Sequence, residues 1–227
     1  MEAVTQTKQT KEVSESALEW GMASLAMRGH EQSGDSQLVE FFPGGALVAV
    51  IDGLGHGEEA AEAARFAVAS LRERPEDGLA DLLNRCHERL RRAPRGAVMT
   101  LVSYNFSENT MTCGGVGNVE GLLLRVDPRI TPSHETIPLR RGVLGGQMTP
   151  VQTRVFPMIP GDTLILTTDG IRPGFESGLR AILSRSPQQL ADFILAQNKS
   201  GADDALALVV RFCPGGAPAW RPARQKK

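Results

Sequence analysis

The sequence predicts an α+β fold, a layered sandwich in which helices cover mainly antiparallel strands. Three observations point there. Short apolar runs recur along the chain at 19–27, 36–42, 46–51, 97–105, 110–116, 119–126, 151–156, 163–168 and 205–212. Two helical periodicities follow one another directly between the third and fourth of these runs. The resulting order is strands, two helices, a series of strands, one helix and a closing strand. That is not the regular β-α alternation of a doubly wound parallel sheet.

The elements can be justified in order. Residues 1–16 are polar and aperiodic, and read as a flexible leader. After the first three strands, Gly57 opens an alanine-rich segment. Ala61, Ala64, Val68 and Leu71 recur there at helical spacing until Pro75 stops it. Leu79, Leu82, Leu83, Cys86 and Leu90 form a second apolar stripe, ended before Pro94. Asn105 to Asn109 holds Asn, Ser and Glu between two strands, which predicts a hairpin turn. Residues 127–150, rich in Pro, Gly and Arg, read as a long irregular connection. Ser186-Pro187-Gln188-Gln189 opens the third helix: the serine can cap free amides, proline fits the first turn, and Gln189 completes a capping box. From Pro214 to Lys227 the chain is a basic tail holding Pro, Gly, Arg and Lys, with only Trp220 to anchor it, and reads as disordered or as a surface strap. No repeat or linker divides 17–213, which reads as one domain.

Composition narrows the function. Lys plus Arg number 25 against 26 Asp plus Glu, so no global field recruits nucleic acid or anionic lipid. The single tyrosine and the lack of basic-aromatic stripes argue the same way against a nuclease-like phosphodiesterase. Cys86, Cys113 and Cys213 are scattered in apolar surroundings, which suits buried free thiols rather than zinc or a disulfide framework. The polar N-terminus is no signal peptide, and no apolar run reaches the ~18 residues of a membrane span. A cytoplasmic protein without membrane contact is expected, acting as a monomer.

The chemistry concentrates in aspartates at strand ends. Ala46–Ile51 runs into Asp52-Gly53, and Thr163–Thr168 runs into Asp169-Gly170. Asp35 opens 36–42, and Asp203-Asp204 opens 205–212. If the first kind of strand is antiparallel to the second, all four positions share one rim. Carboxylates gathered there repel unless cations lie between them, and all-oxygen ligands suit Mg²⁺ or Mn²⁺ rather than zinc. Taken singly, each Asp-Gly reads as a common turn; the joint placement makes the pattern. A glycine at 53 would let a backbone carbonyl approach a cation closely. Gly53-Leu54-Gly55-His56-Gly57 then leads into a helix N-terminus, a place suited to an anion.

These segments carry a resemblance. Val50-Ile51-Asp52-Gly53-Leu54-Gly55-His56-Gly57 is similar to the first metal-binding motif of the PPM family of phosphatases, in its SpoIIE-like branch. Leu166-Thr167-Thr168-Asp169-Gly170-Ile171 resembles the second Asp-Gly motif, and Asp203-Asp204-Ala205-Leu206 the closing Asp-Asp-x-Thr strand. Gly34-Asp35-Ser36 resembles the early Gly-Asp motif. Within the branch, Gly115-Val116-Gly117-Asn118-Val119-Glu120 and Arg141-Gly142-Val143-Leu144-Gly145-Gly146 look most like RsbX-type stressosome phosphatases. As bare sequence, both glycine-rich stretches read as tight turns.

The resemblance implies a four-layer α-β-β-α sandwich with two metal ions, Mn²⁺ or Mg²⁺, at one end of the strands. Asp52 would bridge both ions with help from the Gly53 carbonyl. Asp169 and Asp203 would complete the set, and Asp35 would bind metal or a metal water. Asp204 would support them. The implied activity is hydrolysis of phosphoserine or phosphothreonine on signalling proteins, with phosphorylated STAS-domain stressosome components as substrates. His56 either protonates the leaving oxygen or simply lines the helix entry. Leu206 replaces the usual Thr, which reads as a packing change. The phosphate-binding arginine of eukaryotic relatives has no clear match, with Arg28 nearest. His30, His87 and His134 show no partner pattern and are expected to be exposed. About 17 residues separate the 163–168 strand from the third helix, too few for a large flap, so an open centre is expected. The competing reading is a catalytically silent module of the same fold that binds a partner without turnover.

Overall fold

The computed structural model describes residues 17–216, so the leader expected at 1–16 and most of the tail, Trp220 included, lie outside the described residues. Two sheets carry the architecture. Sheet A has the order β1 (Leu18–Leu25), β11 (Ala205–Phe212), β10 (Thr163–Thr167), β6 (Glu120–Leu124), β7 (His134–Thr136). Sheet B has the order β2 (Asp35–Phe42), β3 (Gly45–Gly53), β4 (Ala97–Asn105), β5 (Thr110–Val116), β8 (Leu139–Arg140), with β9 (Arg154–Pro157) also pairing with β5. Every pairing is antiparallel except β5 with β8.

The side-chain alternation explains the layering. Successive residues of a strand point to opposite faces. In β3, Ala46, Val48 and Val50 enter the core between the sheets, while Leu47, Ala49 and Ile51 meet the helices. In β11, Leu206, Leu208, Val210 and Phe212 face the other sheet, and Ala205, Ala207 and Val209 face helices. Both strands are therefore apolar along nearly their whole length, with Asp52 and Arg211 as the charged exceptions near one end of each, as strands buried on both faces tend to be. On sheet B lie α1 (Glu58–Arg72) and α2 (Leu79–Leu90). On sheet A lie α3 (Leu179–Ile182) and α4 (Pro187–Asn198). The layers read α-β-β-α, as expected.

Local signals hold in detail. The Ser186 hydroxyl accepts from Gln189 N–H at 3.3 Å, and the Gln189 side-chain oxygen accepts from Ser186 N–H at 3.2 Å, closing the capping box around Pro187. The Asn105 carboxamide oxygen accepts from the backbones of Ser107 and Glu108, forming the β4–β5 turn. Small residues on α1, among them Ala60, Ala63, Ala64 and Ala67, are buried and let that helix lie close on sheet B.

Two expectations need correction. The stretch 127–150 is not wholly irregular, because β7 and β8 form there as short edge strands. The strand expected from 151 begins at Arg154. Among the described residues no helix is long and apolar enough to cross a membrane.

Candidate metal centre

The antiparallel registers bring the aspartates to one rim. Asp35 and Asp52 stand directly opposite each other at the ends of β2 and β3. In sheet A, Asp169 follows the end of β10, and Asp203-Asp204 precedes β11, its antiparallel neighbour. Thr168 ties the two sheets together at this rim. Its hydroxyl donates to Asp35 Oδ2 at 2.7 Å and accepts from Leu206 N–H at 2.9 Å, while its own N–H reaches the Leu206 carbonyl at 3.1 Å. Leu206 itself is buried between the sheets, where its side chain packs.

Asp204 has a different task from its neighbours. It is buried, and both its oxygens are taken by backbone N–H groups at 2.6 Å, from Met27 and from Gly34. Those bonds pin the β1–β2 connection, and with it Asp35, to the start of β11. Asp203 is exposed and turns its Oδ1 to Asp204 N–H at 2.8 Å. Asp169 is exposed too, and Asn118 donates to its Oδ2 at 2.8 Å. Asn118 and Thr168 were missed as site residues. Both lay inside motifs already singled out, but nothing local to either says which carboxylate it meets.

The two glycines that follow the aspartates have a packing reason. A Cβ on Gly53 would run into the backbone carbonyl of Ala60 on α1, and one on Gly170 into the carbonyl of Asp204. Close approach of α1 excludes any side chain at Gly53, a packing reason that stands beside the one expected from the sequence.

Electrostatics mark the rim as short of positive charge. Burial, chiefly, pushes the Asp35 carboxyl up to about 7, against the pull of the Thr168 hydrogen bond and with help from the other aspartates. Burial and then the Asp35 charge push Asp52 up to about 8. Asp169 is raised by burial and by Asp203, opposed by Asn118. Among the described residues no protein donor reaches the Asp52 carboxylate. Such a group favours protonation or a cation beside it. The donor set is all oxygen, which fits Mg²⁺ or Mn²⁺. Among the described residues, no three His, Cys, Asp or Glu side chains converge closely enough to form a metal-holding group by themselves. An open set of carboxylates is compatible with Mg²⁺, which keeps several of its waters.

The remaining candidates fall around this rim. His56 is exposed in the loop before α1, its ring centroid 4.6 Å from that of His30 and tilted by 47°. His30 is therefore half-buried and partnered, and His87 is half-buried with its Nδ1 accepting from Gly145 N–H at 3.2 Å; only His134 is exposed as expected. Arg28 is an exposed surface residue. Arg95 lies at the loop: held by Glu59 at 2.8 Å, its Nη1 is 3.5 Å from where a Cβ on Gly55 would stand.

Residues 43–213 match the family model described as Stage II sporulation protein E (SpoIIE). The chain belongs to the SpoIIE family. The matched span includes Asp52, Asp169, Asp203 and Asp204, and begins after Asp35. This SpoIIE-family chain is 26% identical over 184 residues to the phosphoserine phosphatase RsbX of Bacillus subtilis (strain 168), covering 79% of this chain and 87% of that protein. Two solved structures share the fold. One comes from work on the bacterial stressosome as a modular system adapted to control secondary messenger signalling. It superposes with a TM-score of 0.77 at 29% identity, over 86% of this chain and 99% of the other. The other is RsbX in complex with magnesium, with a TM-score of 0.72 at 24% identity, over 86% and 95%. The resemblance to PPM phosphatases is borne out at the level of family and fold.

Proposed function

We propose that this SpoIIE-family protein is a metal-dependent phosphatase that removes phosphate from serine or threonine on STAS-domain stressosome regulators. The observation that carries the reading is the Asp35–Asp52 pair, in register and with no Lys or Arg paired to it among the described residues, with Asp169 and Asp203 on the same rim. The likeness to RsbX supports the substrate class.

In this reading Asp52, with the Gly53 carbonyl, would hold metal together with Asp169 and Asp203, two ions in all, and Asp35 would bind metal or hold a metal water. Bound Mg²⁺ or Mn²⁺ would lower the pKa of a shared water, supplying hydroxide at neutral pH, and neutralise charge on the phosphoryl oxygens. The chain's own groups do the rest. Thr168 and Asn118 fix the rotamers of Asp35 and Asp169, so that the acceptor oxygens are placed before the phosphoester arrives. Arg95 offers a guanidinium beside Gly55 to a phosphoryl oxygen, filling the part left open by the missing early arginine. His56, exposed in the same loop, is placed to protonate the departing serine oxygen. No protein nucleophile is required, which agrees with three buried cysteine thiols.

The test is hydrolysis of a small aryl phosphate with Mn²⁺ or Mg²⁺, followed by phosphate loss from phosphorylated STAS-domain proteins read by mass spectrometry. Turnover by the native chain and none by Asp52→Asn, with the fold kept, supports the proposal. A well-folded native chain that hydrolyses nothing across metals favours the silent binding module.

A further inference from the structure

A cleft of about 380 Å³ opens between the β6–β7 edge of sheet A and the turn at Pro173–Glu176. Leu122, Ile137 and Phe175 make its floor, each less than 10% exposed. Glu120 and Glu176 stand exposed at its lip, with no ion-pair partner among the described residues. His134 lies at the far end, and Arg180 beyond it is engaged on the Ser133 carbonyl.

The cleft points at the metal centre. Glu120 is paired with Thr167, two residues before Asp169, and Asn118, two residues before Glu120, holds Asp169 itself. From there β6 runs away from the rim, with Leu122 opposite Thr136. Strand residues advance about 3.4 Å each, so Glu120 stands about 7 Å and Leu122 about 14 Å along the chain from Asn118. An extended substrate with its phosphoserine at the rim would lay its second neighbour by Glu120 and its fourth over the apolar floor.

We propose that this cleft receives the phosphoprotein segment beside the phosphoserine, taking a Lys or Arg at Glu120 and an apolar side chain on the Leu122–Phe175 floor. The inference rests on the phosphatase reading above. The unpaired carboxylates at the lip select a cation, and the apolar floor selects an apolar neighbour, so the two demands together discriminate among substrates. The short turn at Pro173–Glu176, which replaces any large flap, then forms one wall of the subsite.

The experiment compares phosphoserine peptides carrying Lys two residues and Leu four residues from the phosphoserine, on either side, with versions bearing Glu and Ser there. Each rate is divided by the same protein's rate on an aryl phosphate. The Lys/Leu peptide is expected to show a kcat/KM about tenfold higher. In the double variant Glu120→Lys/Glu176→Lys the preference at the second position should turn toward Glu. In Thr136→Trp, which fills the cleft from its wall, the preference for Leu should vanish. A protein active on the aryl phosphate whose peptide rates ignore these flanks overturns the cleft assignment, as does a double variant with the native preference. No turnover of any substrate with Mn²⁺ or Mg²⁺ overturns the phosphatase reading itself, and the role of the cleft with it.

Discussion

Asp35 and Asp52 face each other across the β2–β3 ladder, the first and the next-to-last residues of adjacent antiparallel strands. Like charges directly opposite on a sheet are destabilising. The fold keeps them there with Gly34, whose N–H binds Asp204 and whose carbonyl accepts from Gly53 N–H at 3.0 Å. The backbone is thus committed to the pairing whatever the charge on the two acids.

Burial of these two carboxyls, with the charge of neighbouring aspartates added to it, makes stability depend on pH. The folded values of about 7 for Asp35 and about 8 for Asp52 exceed the ordinary carboxylate range, so the fold favours the protonated acids. Their contribution is fully present below about pH 4 and is lost as pH rises through the folded values. The metal-free protein is expected to melt at falling Tm from about pH 5 to about pH 8. Magnesium should restore Tm far more at the upper end, with proton release on binding. Thermal melts with and without Mg²⁺ across that range check this; a metal effect independent of pH contradicts it.

Asn118→Ala and Thr168→Val remove the side chains that orient Asp169 and Asp35. Outer partners of this kind are typically worth about 10- to 100-fold in metal affinity. Titration calorimetry with Mn²⁺ should show that loss. Thr168→Val should also lower Tm without metal, because Leu206 N–H loses its acceptor.

Gly170→Ala drives a methyl group into the Asp204 carbonyl. The strand start must then shift, at a cost of about 1–3 kcal/mol, typical of overpacking. Chemical denaturation should register the loss, and Mn²⁺ affinity should fall with it because Asp203 moves.

Arg95→Ala separates surface pairing from phosphate contact. Its bond to Glu59 is an exposed ion pair, worth about 1 kcal/mol at most. Stability should therefore change little, while KM for a phosphoserine substrate rises about tenfold. Steady-state kinetics decide it: an unchanged KM assigns Arg95 to the surface pair alone.

The legible parts of the molecule are those whose reason is local. β3 and β11 stand out because both faces are buried, and the start of α4 because Ser186 and Gln189 bond within four residues. The Asp-Gly strand ends could be read for the same cause. What stayed hidden depends on distant partners. Asn118 meets Asp169 across 51 residues, and Asp204 meets Gly34 across 170. β7 and β8 are too short to show periodicity, and exist because β6 and β5 offer them an edge. Gly53 was legible as a glycine, but the helix that demands it was not.

The place of β11 bears on how the protein is made. This late segment is not at the margin of sheet A but between β1 and β10. Until it emerges from the ribosome, β1 has no partner to pair with, and β10 shows a bare edge. Closure of such distant contacts is slow, and unpaired edges invite association between nascent chains. The acids at 203 and 204 arrive with the same strand, so a chain stalled before it lacks part of the acidic rim, and Met27 and Gly34 lack the carboxylate that binds them.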